Sequence, residues 1–168
     1  MAHLDLLMRW NRSLNLTAIR NREEAIERHY YESLFLAASL PAAPLKIADV
    51  GSGAGFPGFP VAVFRPDCSV TLIESHQRKA VFLREASRSV PNVRVLAKRA
   101  EEVQETFDWV ISRAVSYKDL GSFLQRLAPN VDLLTGAEAP PEGIGFAWDV
   151  PVLLPWGDQR FLRKGHSV

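Results

Sequence analysis

Cysteine is nearly absent: Cys68 stands alone, beside Pro66-Asp67 and ahead of a β-rich run. A single thiol excludes a disulfide framework and a thiolate metal cluster, and its setting predicts a plain buried side chain rather than a nucleophile. Long apolar runs are also missing. The longest, near residues 33–40, is far too short to cross a bilayer, and Met1-Ala2-His3-Leu4-Asp5 lacks the basic start of a signal peptide, so a cytoplasmic protein is expected. The sequons at Asn11-Arg12-Ser13 and Asn15-Leu16-Thr17 are then chance matches. No repeat period is present. Charge of one sign is lacking too: the net charge is +1, which does not advertise nucleic-acid binding.

What is there is ordinary globular composition, 47% hydrophobic and 23% charged over 168 residues. That length fits one domain, 1–168, able to bury roughly 68–70% of its unfolded surface without a metal or disulfide. Charge is uneven along the chain. Arg78, Lys79, Arg84, Arg88, Arg94, Lys98 and Arg99 face only Glu85 in their stretch, a pattern that fits either a solvated helix face or a phosphate-facing patch.

Two amphipathic helices open the chain. The first covers residues 4–14, with Leu4, Leu7, Met8 and Leu14 on one face; the second covers 23–40, with Ala25, Ile26, His29, Tyr30, Ser33, Leu34 and Ala37 inward. Asn21 is placed to cap the second, and Pro41-Ala42-Ala43-Pro44 stops it. Residues 1–40 thus form a helical extension. β-rich runs follow at 45–50, 70–74, 93–97, 107–112 and 131–134, with helices expected near 58–64, 77–89 and 118–127. That alternation predicts an α/β fold, a doubly wound and mostly parallel sheet. Runs at 150–154 and 159–163 around Pro155-Trp156-Gly157-Asp158 predict an antiparallel hairpin at the C-terminal end.

The stretch DVGSGAGFPGFP, residues 49–60, follows the first predicted strand. Gly53-Ala54-Gly55-Phe56-Pro57-Gly58 has the G-x-G-x-x-G spelling of dinucleotide folds. A pyrophosphate, however, needs backbone N–H donors at the helix start, where Pro57 and Pro60 have none and Asp49 adds a carboxylate. A cationic ligand without phosphate suits the loop better, and S-adenosylmethionine is one: Asp49 can receive its ammonium, directly or through water, while the glycines admit close backbone approach. Glu74, at the end of the next predicted strand, suits the ribose hydroxyls, a group that NAD shares. Turn capping by Asp49 and a solvated strand end at Glu74 are the plain structural alternatives.

The ordered set RWNRSLNLTAIR (9–20), Glu27-Arg28-His29, DVGSGAGFPGFP, Ile73-Glu74-Ser75 with Arg78-Lys79 and Phe82-Leu83, Arg99-Ala100-Glu101 and Ile111-Ser112-Arg113-Ala114 resembles the bacterial 16S rRNA guanine-N7 methyltransferases, also called glucose-inhibited division protein B. The likeness runs from about residue 7 to 134. It implies a Rossmann-like class I methyltransferase sheet, S-adenosylmethionine as cofactor with S-adenosylhomocysteine as product, no metal, and 16S rRNA or the small ribosomal subunit as partner of a monomer. It implies cofactor contacts at Gly51 and Phe56 of the loop, whose Gly53 and Gly55 already stand as candidate cofactor-binding residues, with Glu74 at the ribose and Ala100 and Glu101 at the adenine. Arg113 corresponds to a binding arginine near the transfer cleft. The same likeness places His29 and Asn15 toward that cleft, although a helix histidine is commonly a packing residue and Asn15 a local cap. Trp10, Tyr30 and Tyr31 offer stacking surfaces to a base, or belong to the core.

Three departures stand out. Glu32 replaces a usual aspartate, Thr135 a usual lysine, and residues 135–149 carry Gly136, Pro140, Pro141, Gly143 and Gly145, so a loop or short helix is expected there and one flank of the sheet thinly covered. The expected function is methyl transfer from S-adenosylmethionine to N7 of a guanine in small-subunit rRNA. A noncatalytic rRNA-binding assembly factor and a small-molecule methyltransferase are the rivals, with an NAD-linked oxidoreductase behind them.

Overall fold

A computed structural model describes residues 2–113, 115–121, 123–142 and 144–168. The motif residue Ala114 and the linker residue Gly143 lie outside the described residues. Helix α1 (Ala2–Leu14) precedes α2 (Arg22–Ala25), a π-helical segment (Ile26–Tyr31) and α3 (Glu32–Ser39). The Asn21 side chain accepts from Glu23 N–H and Glu24 N–H, the cap the sequence predicts. Then come β1 (Lys46–Val50), α4 (Gly58–Phe64), β2 (Ser69–Ile73), α5 (Gln77–Ala86), β3 (Val93–Leu96), a 3-10 turn (Ala100–Glu102) and β4 (Trp109–Arg113). The chain ends with α6 (Tyr117–Leu120), α7 (Phe123–Leu127), β5 (Asn130–Thr135), β6 (Phe146–Trp148), β7 (Val152–Leu153) and β8 (Phe161–Ser167).

The sheet runs β3-β2-β1-β4-β5-β8-β6, with β7 also paired to β8. The first five strands are parallel, and β8 is antiparallel to β5, β6 and β7. This is the expected doubly wound α/β sheet with an antiparallel end. Alternation along the strands divides the core. Ile47, Val70, Leu72, Ile111 and Leu134 join the cluster under α1, α3, α4 and α5; Ala48, Val50, Ile73, Val110, Val131 and Leu133 join the one under α6 and α7. Cys68 is 2% exposed, as expected of a core thiol. Among the described residues, no helix is long and apolar enough to cross a membrane.

The structure corrects several local expectations. The helix predicted over 118–127 is two short helices, and the one predicted over 77–89 ends at Ala86. Residues 135–149, expected as loop or short helix, contain strand β6 instead; Trp148 and Phe146 pack on that face of the sheet. In the second N-terminal helix Leu34 is 36% exposed, whereas Glu32 and Leu36 are sealed. The π-helical segment is the reason: its wider turn shifts the inward face relative to a uniform 3.6-residue rhythm.

Candidate cofactor and substrate site

The chain crosses from β1 to the loop through Gly51, whose φ is +72° and where a β-carbon would lie 2.8 Å from Val115 Cγ2. Only glycine combines that backbone with that proximity. Both Gly51 N–H and Ser52 N–H donate to Ile73 C=O, tying the loop to the end of β2. Further on, Gly58 N–H donates to Asp49 Oδ2 at 2.9 Å and Phe59 N–H to Gly55 C=O at 2.7 Å. Pro57 and Pro60 have no N–H. The donors that would cradle a phosphate at the start of α4 are therefore used internally or missing.

Asp49 is completely buried beneath this loop. Its Oδ1 is buried without a hydrogen-bond partner, and burial raises its carboxyl to about 7, more than the Gly58 and Ser52 hydrogen bonds lower it. Glu74 follows β2 and is 8% exposed; Oε2 accepts from Gly53 N–H and Oε1 from His76 N–H, both at 2.8 Å. Each oxygen keeps lone-pair capacity for a further donor.

Two cavities meet at Gly51. The larger, about 350 Å³, is lined by loop residues Gly51, Ser52, Gly53, Ala54 and Phe56 together with Leu16, Thr17, His29, Lys79, Arg113 and Val115. The smaller, about 180 Å³, lies among Ile73, Ser75, Lys98, Arg99, Ala100, Glu101 and Phe123. Both sit past the carboxyl ends of the parallel strands, where open α/β sheets hold ligands.

Of the residues singled out from sequence, Gly51, Gly53, Phe56, His29 and Arg113 line the first cavity and Ala100 and Glu101 the second. Asp49, Gly55 and Glu74 line neither; Gly55 faces His3, Phe59 and Leu83. Asn15 is exposed with φ at 44°, a left-handed residue closing α1 rather than a wall of the cleft. Trp10 donates to Glu85 Oε2, and Tyr30 bonds the His3 ring, so both serve packing; Tyr31 is 46% exposed against Trp156. In the basic stretch Arg94 pairs with Glu105, while Lys79, Lys98 and Arg99 reach cavity walls.

His29 stacks on Phe56, with ring centroids 4.6 Å apart. Arg113 Nη1 approaches its Nδ1, and a guanidinium only donates, so Nδ1 accepts and the proton resides on Nε2, which donates to Thr17 Oγ1 at 2.8 Å. Burial, and next the Arg113 charge, push the ring down to about 3. Thr17 is a residue the sequence reading missed. Asn11, buried inside the WNRSLNLT motif, exchanges two hydrogen bonds with the Thr17 backbone and so presents Thr17 to His29. That signal needed the fold, because Thr17 lies in the loop after α1 and His29 in the π-helical segment beyond α2.

A profile of the GidB family, described as rRNA small subunit methyltransferase G, matches residues 1–134. The chain belongs to this family. The family member of Dichelobacter nodosus named ribosomal RNA small subunit methyltransferase G is 47% identical over 128 residues, 74% of this chain and 59% of that protein. Its namesake from Nitrosomonas europaea is 43% identical over 120 residues, 69% of this chain and 55% of that one. That from Chromobacterium violaceum is 38% identical over 159 residues, 92% and 74%. The chain thus spans little more than half the length of the first two GidB relatives. Among solved structures, magnesium protoporphyrin IX methyltransferase from Synechocystis PCC 6803 with bound SAM superposes at a TM-score of 0.73, with 13% identity, covering 99% of this chain and 97% of that one. A SAM dependent methyltransferase from Aquifex aeolicus gives 0.64 with 16% identity, covering 86% and 92%. These likenesses establish the methyltransferase fold for this GidB chain.

Proposed function

We propose that this chain transfers a methyl group from S-adenosylmethionine to N7 of a guanine in small-subunit ribosomal RNA, as a monomer in the cytoplasm. The observation that carries the reading is the disposal of the loop's N–H groups: Gly58 N–H goes to Asp49 and Phe59 N–H to Gly55, which leaves no phosphate cradle. The residues fit a cationic, phosphate-free nucleoside. The orphaned Asp49 Oδ1 calls for a cation or a water above it, and the Gly51 cradle would be filled by any β-carbon. In this reading Ala100 and Glu101 border the adenine, Glu74 Oε atoms take ribose hydroxyls, and Gly51, Gly53, Phe56 and Arg113 enclose the amino-acid end.

The bound donor supplies an electrophilic methyl group. Guanine N7 carries a free lone pair, so no proton has to leave before attack and no general base is required. His29 matches that chemistry: neutral, with Nδ1 accepting from Arg113 and its single N–H held by Thr17, it orients Arg113 and relays no proton. The protein's task is alignment of nucleophile and methyl carbon in the cavity beside Phe56 and Arg113, a proximity effect.

The test is incubation with labelled S-adenosylmethionine and undermethylated small subunits, followed by mass-spectrometric mapping. N7-methylguanosine in the 16S rRNA is the expected product. Binding of the rRNA with no transfer would replace the enzyme by an assembly factor, and transfer only to a small molecule would replace the substrate.

A further inference from the structure

Glu32 is 1% exposed and meets two guanidinium groups that come from distant parts of the chain. Arg160, in the turn before β8, grips it as a fork: Nε lies 3.1 Å from Oε1 and Nη2 3.0 Å from Oε2. Arg113 approaches from the end of β4, its Nε 3.2 Å from Oε2 but out of line for a hydrogen bond. One carboxylate thus serves two arginines. His29, which Arg113 approaches through Nη1, is neutral, so the two guanidinium groups and one carboxylate keep one positive charge in excess. Only Arg113 of the pair reaches the wall of the larger cavity.

Two-pronged pairing is the strong mode of arginine with carboxylate, and here Arg160 occupies it. Without Arg160, Glu32 would be free to turn that mode toward Arg113 and neutralise it. With Arg160 in place, Glu32 anchors Arg113 from the side and leaves its charge available to the cavity. We infer that Glu32 and Arg160 are a positioning pair, which holds Arg113 as a cavity-facing cation for the carboxylate of the donor's amino-acid end. The inference rests on the adenosylmethionine reading above and deepens it: a residue of the C-terminal hairpin, far from every loop motif, sets the charge of the cofactor site.

Two probes separate positioning from mere support of the fold. S-Adenosylhomocysteine carries the amino-acid end, and 5′-methylthioadenosine has the same nucleoside and sulfur without it. Calorimetry on Arg160→Met should show S-adenosylhomocysteine affinity down about tenfold or more, with 5′-methylthioadenosine within about twofold. Arg160→Lys should recover only part of the loss, because it restores charge without the fork. Glu32→Gln strips the counter-charge from both guanidinia and threatens the fold, so its melting temperature is read alongside and Arg160→Met decides. Equal losses for both ligands, or none for S-adenosylhomocysteine, would overturn the positioning role. A parent chain that binds neither ligand would instead sink the cofactor reading, and this inference with it.

Discussion

At the scale of single residues, the site is built from groups held away from their usual ionisation. Burial first, then Arg113, pushes His29 down to about 3; burial pushes His3 down to about 4 and Asp49 up to about 7. The signs differ. An unfolded histidine takes up its proton near 6.5, before the folded one does, so His29 and His3 remove stability as pH falls from there through the acid range. The folded Asp49 keeps its proton to about 7 whereas the unfolded group loses it near 3.8, so Asp49 removes stability as pH rises across that interval. Accordingly His29→Gln should lose less stability than the parent on acidification below 6.5, with His3 still contributing, and Asp49→Asn should lose less on approach to neutrality. Urea unfolding at a series of fixed pH values checks both, and slopes identical to the parent's would refute these environments. From the sequence, Asp49 was readable as an acid next to the ligand loop. Its seat below that loop was not, because seclusion depends on Leu72 and Gly58 closing over it in three dimensions.

At the scale of elements, the π-helical segment Ile26–Tyr31 matters most. It lets one continuous helical stretch direct His29 at Thr17 and Arg113 while also turning Glu32 toward Arg160. A regular helix advances about 100° per residue, so removing one residue here would rotate one side of the segment against the other by roughly that angle. Deletion of Arg28, whose side chain is 63% exposed and pairs with the nearby Glu24, is the direct experiment. Helix content by circular dichroism should be retained, while S-adenosylhomocysteine affinity falls by about tenfold or more. Undiminished affinity would show that the wide turn has no bearing on the site. Apolar spacing announced the helix, but a uniform period put Leu34 inside and overlooked Leu36, because a single wide turn leaves no mark in composition.

At the scale of the whole molecule, the tail is part of the main sheet. β8 lies between β5 and β6, its Lys164 sits 3.6 Å from the fully buried Asp132, and the same ammonium donates to Ser39 C=O. Arg163 donates to Thr135 Oγ1, so the threonine found where lysine is usual accepts a bond from the strand beside it. A chain ending at Asp149 would leave β5 with an unpaired edge and Asp132 with only the Trp109 N–H. Such a truncation should aggregate or melt without a cooperative transition in differential scanning calorimetry. A sharp melt near that of the parent would show the hairpin to be dispensable.

The sequence by itself determined the alternation of strands and helices, the cap at Asn21, the antiparallel end and the family. Each of these is written in local pattern, in residues close along the chain whose spacing expresses backbone geometry. Only the tertiary structure decided that Thr17, His29, Glu32, Arg113 and Arg160 meet, that Asp49 lies under its loop, and that residues 146–148 join the sheet. Those outcomes depend on contacts between segments up to 128 positions apart, as from Glu32 to Arg160, and on the burial that such contacts create. Neither distance nor burial has a signature in any short stretch of chain.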